Sequence, residues 1–134
     1  MSIKITGFQA RPVAAPIKYP PRPASGAIDT AALVLIDLQT NEGITGHTYL
    51  FTFSQSMLKP TVECFKAVCD LIIGDEASPL EIDNKLRKHF TLYDAHGILG
   101  QVLAGIDMAA WDIQAKSQGV PLATALGGTP LSIK

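Results

Sequence analysis

Leu103-Ala104-Gly105-Ile106-Asp107-Met108-Ala109-Ala110-Trp111-Asp112-Ile113 is the stretch whose reading decides the fold of this 134-residue chain. It reads as the middle of the longest helix, running from about Gly97 to Ser117. Leu99, Val102, Leu103, Ile106, Ala110 and Ile113 recur at helical spacing and form one apolar face. Ala104, Gly105, Ala109 and Ala115 lie between them, and side chains this small let a neighbouring element approach the backbone. Gly105 costs a helix about 1 kcal/mol relative to Ala, so close packing is the reason to expect it there. Asp112 and Lys116 stand at i,i+4 in the favourable order for a surface pair. Gly119 supplies a left-handed stop, Pro121 opens a short second helix, and Gly127-Gly128 ends it. A helix with this face and this end docks against something.

Upstream, three runs have strand character. Ile3 to Ala15 alternates loosely through Ile3, Ile5, Phe8, Ala10 and Val13. Ala31 to Gln39 is apolar and β-branched, and His47 to Phe53 is a third strand. The short connection Thr40-Asn41-Glu42-Gly43 suits a hairpin, so the expected sheet is an antiparallel three-stranded meander. Between the first two strands, Pro16, Pro20, Pro21 and Pro23 fix φ and remove donors, and Ser25-Gly26 adds a turn. A loop of about fifteen residues from Pro16 to Thr30 is long for a compact domain. Ile17, Tyr19 and Ile28 favour a lid lying against something over a plain surface loop. His47 has no second His or Cys at ligand spacing and reads as structural or solvent-facing rather than as a ligand or base.

Helices follow the strands. Ser54 or Ser56 is placed to cap a helix to about Ile73, with Met57, Leu58, Val62, Phe65, Val68, Leu71 and Ile72 inward and Pro60 in its first turns. Ser78-Pro79-Leu80-Glu81 reads as cap, first-turn proline and capping glutamate. The helix from Pro79 to Phe90 then turns Leu80, Ile82 and Leu86 inward, and its charges read as a solvated face. Strands first and helices after give an α+β fold: a three-stranded antiparallel meander followed by a three-helix bundle.

The bulk properties bound the function. The net charge is −1 with no basic run, which argues against nucleic acid as the main partner. The apolar runs are too short to span a bilayer, so no membrane partner is expected, and MSIKITGF lacks a signal-peptide apolar core. Cys64 and Cys69, the two cysteines, stand i,i+5 on a helix and point to different faces, which suits two buried, reduced thiols in a cytoplasmic protein. Signatures of catalysis are missing: no paired carboxylates, no His/Cys cluster, no phosphate-cradling glycine loop and no nucleophile elbow. Asp107 and Asp112 point different ways along one helix. Asp94 and His96 lie close in sequence before the long helix, but two groups without a third partner make a weak dyad.

A resemblance adds what composition does not. Ala104 to Asp112, followed by Lys116, Gly119, Pro121-Leu122 and Leu126-Gly127-Gly128, resembles the hallmark helix of the enolase superfamily. With Ile5-Thr6-Gly7, Pro16, Tyr19-Pro20, Leu33 to Leu38 and Gly46 to Phe51, the likeness covers essentially the whole chain. It points to the N-terminal capping domain of the mandelate racemase/muconate lactonizing enzyme branch, closest to the mandelate racemases. The enolase N-terminal domain-like fold is implied for 1–128, with 129–134 as the start of a truncated C-terminal (β/α) barrel.

In that family the barrel supplies lysine and histidine bases and three acidic ligands for Mg2+. It removes a proton α to a carboxylate, giving racemisation or dehydration of 2-hydroxy acids or acid sugars. The resemblance therefore implies no catalytic residue and no metal ligand in this chain, no cofactor of its own, and inactivity alone. It implies as partners the protein's own barrel domain, a small carboxylate substrate and further copies in a homo-oligomer. Carried across position by position, Pro21, Pro23, Ile28 and Phe53 match substrate-binding, pocket-lining positions. The sequence departs from the mandelate pattern there, with two prolines for an aliphatic and a hydroxyl residue and Phe53 for a tyrosine. Arg22 adds a cation beside them, suited to a second carboxylate or to water. A stand-alone small-ligand module and a self-associating domain are the other readings of the same residues.

Overall fold

The computed structural model describes residues 2–93 and 96–132. Asp94, of the Asp94 and His96 noted from sequence, and the last two residues of the barrel lead-in fall outside these.

Three strands, β1 (Ile5–Pro16), β2 (Thr30–Thr40) and β3 (Thr45–Phe51), form an antiparallel sheet in the order β1-β2-β3. Along β2 the pleat is read without interruption: Ala32, Val34, Ile36, Leu38 and Thr40 are buried, and the residues between them are half-buried on the other face. Such alternation is what period-2 geometry gives when only one face is covered. β1 obeys it only in part. Its ladder slips between Ile5 and Gly7, so that Ile5 lies opposite Thr40 while Phe8 lies opposite Leu38. The slip puts Ile5 and Phe8, three residues apart, on the same core face. Val13, expected in phase with them, instead faces Leu33 on the outer surface.

Four helices follow: α1 (Leu58–Cys69), α2 (Pro79–His89), α3 (Gly97–Gln118) and the short α4 (Leu122–Ala125). α1 and α2 each pack on α3, and α1 and α3 pack on the inner face of the sheet. The core joins Ile5, Val34, Ile36, Leu38 and Leu50 from the strands to Phe65, Val68, Ile72, Leu86, Val102, Ile106 and Ile113 from the helical layer. Phe65 meets the Phe8 ring edge-on at 5.8 Å.

The long helix docks as its small residues imply. A Cβ on Gly105 would stand 3.0 Å from Leu50 Cδ2 and 3.1 Å from Ile36 Cδ1. On the strand side Gly46 is tighter still, since a Cβ there would collide with the carbonyl oxygen of Ala109. Two glycines, one from each element, thus set the α3–β3 spacing. At its end Gly119 has φ 66°, and the Gly119 and Val120 N–H groups donate to Lys116 and Ala115 carbonyls at 3.1 Å each. These are the two bonds of a left-handed C-terminal cap.

The helix starts differ from expectation. Gln55–Met57 is a 3-10 turn, and α1 begins only at Leu58. Neither Ser54 nor Ser56 caps it, because their hydroxyls bond each other at 2.8 Å. After Cys69 the chain leaves the helix by tighter turns, with Leu71 and Ile72 donating to Val68 and Cys69. The segment that follows binds the start of β1: Ile5 N–H to Asp75 O, Gly74 N–H to Ile5 O and Ala77 N–H to Ile3 O. Ser78 occupies the N-cap place of α2 without a side-chain bond, and Pro79 is its first residue. Leu80, expected inward, is 67% exposed, whereas Ile82 and Leu86 are buried. Nor are the charges of α2 merely solvated: Lys85 Nζ binds Leu71 O at 2.6 Å and Asp75 Oδ2 at 2.5 Å, holding the α1–α2 connection against the helix.

Candidate functional site

The proline-rich loop between β1 and β2 carries no regular element, yet it continues the ladder at intervals. Ile17 N–H donates to Asp29 O at 2.9 Å and Ile28 N–H to Pro21 O at 3.0 Å. Its tip closes with Gly26 N–H on Pro23 O at 3.0 Å, where Gly26 takes φ 112°. Prolines at 20, 21 and 23 preset φ on one limb, and bonds from residues that keep their N–H fix the other. The loop is therefore a bent ribbon held by cross-strand bonds, and a hollow lies between it and the end of β3.

That hollow is an open cavity of about 680 Å³ lined by Pro21, Arg22, Pro23, Ser25, Ile28, Phe51 and Phe53. The four residues expected to line a pocket, Pro21, Pro23, Ile28 and Phe53, are thus brought together on two separate segments. Arg22, noted from sequence only as a nearby cation, belongs to the same wall, and it is the one charged side chain of the lining. Phe51 and Ser25 were not assigned to it. Phe51 was legible only through register, since it ends β3 opposite Leu33 on the outer face.

Phe53 is held in an unusual way. It is the one described non-glycine residue with positive φ, at 59°. Ser54 N–H closes a three-residue turn around it onto Thr52 O at 2.7 Å. A bulky side chain in this region costs about 1–3 kcal/mol, and such strain persists where the surroundings impose it. The result aims the ring outward, 63% exposed, in edge-on contact with Phe51 at 4.6 Å.

Other polar groups do different work. Asp37, its side chain 14% exposed, accepts from Arg11 Nη2 at 2.8 Å and meets His47 Nδ1 at 2.7 Å, so His47 belongs to a cross-strand cluster on the outer face. Asp83 binds Arg87 Nε with both oxygens at 2.9 and 2.8 Å. Burial first, and Asp83 second, push the Asp107 carboxyl above the usual carboxylate range, against the opposing pull of Arg87 and the Trp111 hydrogen bond. Both cysteines are free thiols whose pKa is raised by burial, Cys69 fully buried and Cys64 half-buried.

No three His, Cys, Asp or Glu side chains among the described residues come together as metal ligands would. Likewise no helix among them is long and apolar enough to cross a membrane.

Comparison with known proteins agrees with this architecture. Residues 5–127 match the family described as mandelate racemase / muconate lactonizing enzyme, N-terminal domain. The D-galactonate dehydratase family member RspA of Pantoea ananatis (strain LMG 20103) is 33% identical over 107 residues, which are 78% of this chain and 24% of that protein. An enolase from Bradyrhizobium, crystallised with magnesium and mandelic acid, superposes with a TM-score of 0.91 at 37% identity, covering 98% of this chain and 36% of that one. L-talarate dehydratase from Polaromonas sp. JS666, complexed with Mg and L-glucarate, shares the fold with a TM-score of 0.85 at 21% identity, over 99% of this chain and 37% of that one. The chain spans about a quarter of the curated relative's length. It belongs to the mandelate racemase/muconate lactonizing enzyme family, and what it represents is that family's N-terminal domain.

Proposed function

We propose that residues 1–128 are the cap of a larger, magnesium-dependent enzyme that abstracts the proton α to a carboxylate, and that 129–134 lead into its (β/α) barrel. Support comes from the family match over 5–127 and from a magnesium-bound neighbour at 37% identity. The outcome of the abstraction is racemisation or dehydration of a 2-hydroxy acid. The bases and the metal ligands belong to the barrel, and the isolated cap is inactive because it has no transition state to stabilise. Oligomerisation of the whole enzyme and a cytoplasmic location are part of the same proposal.

One observation carries the assignment of a role to this chain: loop residues Pro21, Pro23 and Ile28 and strand-end residues Phe51 and Phe53 share one cavity wall. Such a wall excludes water from the reacting carbons, and it selects the part of the substrate distal to the carboxylate. Since its lining is apolar except for Arg22 and Ser25, the substrate it fits is a 2-hydroxy acid with an apolar, flat distal group. Polyhydroxylated chains would leave most of their hydroxyls facing apolar groups, a mismatch that costs binding.

The test is a kcat/KM series in the enzyme that carries this cap, over 2-hydroxy acids differing only in the distal group. Apolar distal groups are expected to be preferred, and Ile28→Ala to lower that preference by 10-fold or more, since one to three methylenes at a pocket wall discriminate on this scale. A preference for polyhydroxylated acids, or an unchanged ratio in Ile28→Ala, refutes the reading.

A further inference from the structure

Thr52 lies between Phe51, the last residue of β3, and the strained Phe53, and is buried while both of these neighbours line the cavity. Its hydroxyl stands 3.1 Å from Ala32 O and 3.0 Å from Ser54 O. Its own N–H donates to Ala32 O at 2.9 Å. A hydroxyl has one proton, so the two carbonyls share it, and neither contact can be replaced by a methyl group. Ala32 is near the start of β2, where the proline-rich loop rejoins the sheet. Ser54 lies on the far side of the Phe53 turn, and its carbonyl also accepts the Met57 N–H at 3.1 Å. One buried oxygen therefore ties together the roots of both cavity walls, on either side of the residue with positive φ.

We propose that Thr52 is a positioning residue for the specificity wall: its hydroxyl holds the turn that keeps Phe53 in the left-handed region and so fixes where the ring stands. Without it, Phe53 relaxes to negative φ, which swings the side chain away from Phe51 and opens the wall. The functional half of this inference rests on the reading of Phe53 as a substrate-facing residue, while the structural half does not.

Two readouts separate them. In the 134-residue chain, NMR reports the sign of the Phe53 φ through the intraresidue HN–Hα NOE and backbone couplings, together with the Phe51–Phe53 ring NOEs. Positive φ and ring contact are expected in the parent and in Thr52→Ser, and their loss in Thr52→Val. In the enzyme that carries the cap, Thr52→Val is expected to raise KM several-fold for substrates with an apolar distal group, with kcat nearly unchanged, and Thr52→Ser to restore it. Positive φ persisting in Thr52→Val overturns the positioning role. A lost turn with unchanged KM overturns instead the substrate-facing role of Phe53. Should Thr52→Val not fold, Thr52→Ala, which removes the hydroxyl without adding a methyl group, is read by the same NOEs: loss of positive φ supports the positioning role and its persistence overturns it.

Discussion

Asp112 reaches from α3 to the backbone of β3, where its Oδ2 accepts the His47 N–H at 2.7 Å. The same oxygen binds Lys116 Nζ at 2.6 Å, and that ammonium also donates to Thr45 O at 2.7 Å. What the i,i+4 spacing suggests is a pair on the helix surface is therefore a clamp between helix and strand. It closes over the place where Gly46 lets α3 approach.

The clamp ranks two substitutions. Asp112→Ala removes a charged acceptor from a backbone donor, a bond worth about 1.5–3 kcal/mol, and the low end applies because His47 is exposed and water reaches the freed N–H. Lys116→Ala removes a more exposed partner, where ion pairs are worth about 1 kcal/mol or less. Urea unfolding is expected to show Asp112→Ala as clearly the more destabilising of the two. Equal losses would mean that the Lys116 contacts, to Asp112 and to Thr45 O, hold α3 as firmly as the Asp112–His47 bond does.

A second stability prediction concerns Thr61, which is fully buried in α1 with no hydrogen-bond partner for its hydroxyl. An unsatisfied buried oxygen costs about 1–3 kcal/mol, and valine has the same shape without it. Thr61→Val should raise the urea midpoint without changing the slope of the transition. A lower midpoint would show that the hydroxyl is satisfied after all.

Asp107 gives a pH dependence with a definite sign. Its folded pKa lies above its unfolded value, through burial and then the charge of Asp83. Between those two values the folded state holds more protons, so the Asp107 contribution to stability falls as pH rises through that window and stays lost above it. Asp107→Asn keeps an acceptor for Trp111 and removes the half-buried charge. It is expected to be stabilising at neutral pH, with the difference from the parent shrinking as the solution is acidified below the carboxylate range. A difference independent of pH would assign the effect to packing.

These residues also mark what the sequence could and could not disclose. Helical spacing around Ile106 and the glycine at 119 located α3 and its end almost to the residue, because capping and periodicity are local. The slip between Ile5 and Gly7 left no local signature, and it decides which of β1's apolar residues reach the core. Leu80 looked inward by type, but α2 packs on α3 through Ile82 and Leu86, and a leucine two positions before Ile82 lies on the opposite side. At the cavity, Pro21, Pro23, Ile28 and Phe53 came from likeness to a family, and their convergence requires both the loop ribbon and the turn at Phe53. Thr52 was invisible because a strand-end threonine is ordinary until its two carbonyl partners are placed.

The proline-rich loop should exchange its amide protons faster than the long helix. Three of its donors, Ile17, Gly26 and Ile28, have backbone partners, and the stretch 18–27 is exposed apart from half-buried Pro20. In α3, Val102, Ile106, Ala109, Ala110 and Ile113 are buried in the core, so their exchange requires global rather than local opening. Hydrogen exchange by NMR is expected to give fast rates over 17–27, slowed at Ile17 and Gly26 relative to their neighbours, against rates near the global limit from Val102 to Ile113. Adding the rest of the enzyme should slow the loop without altering α3. Equal protection in the two segments of the 134-residue chain would show the loop to be a rigid part of the fold and not a lid.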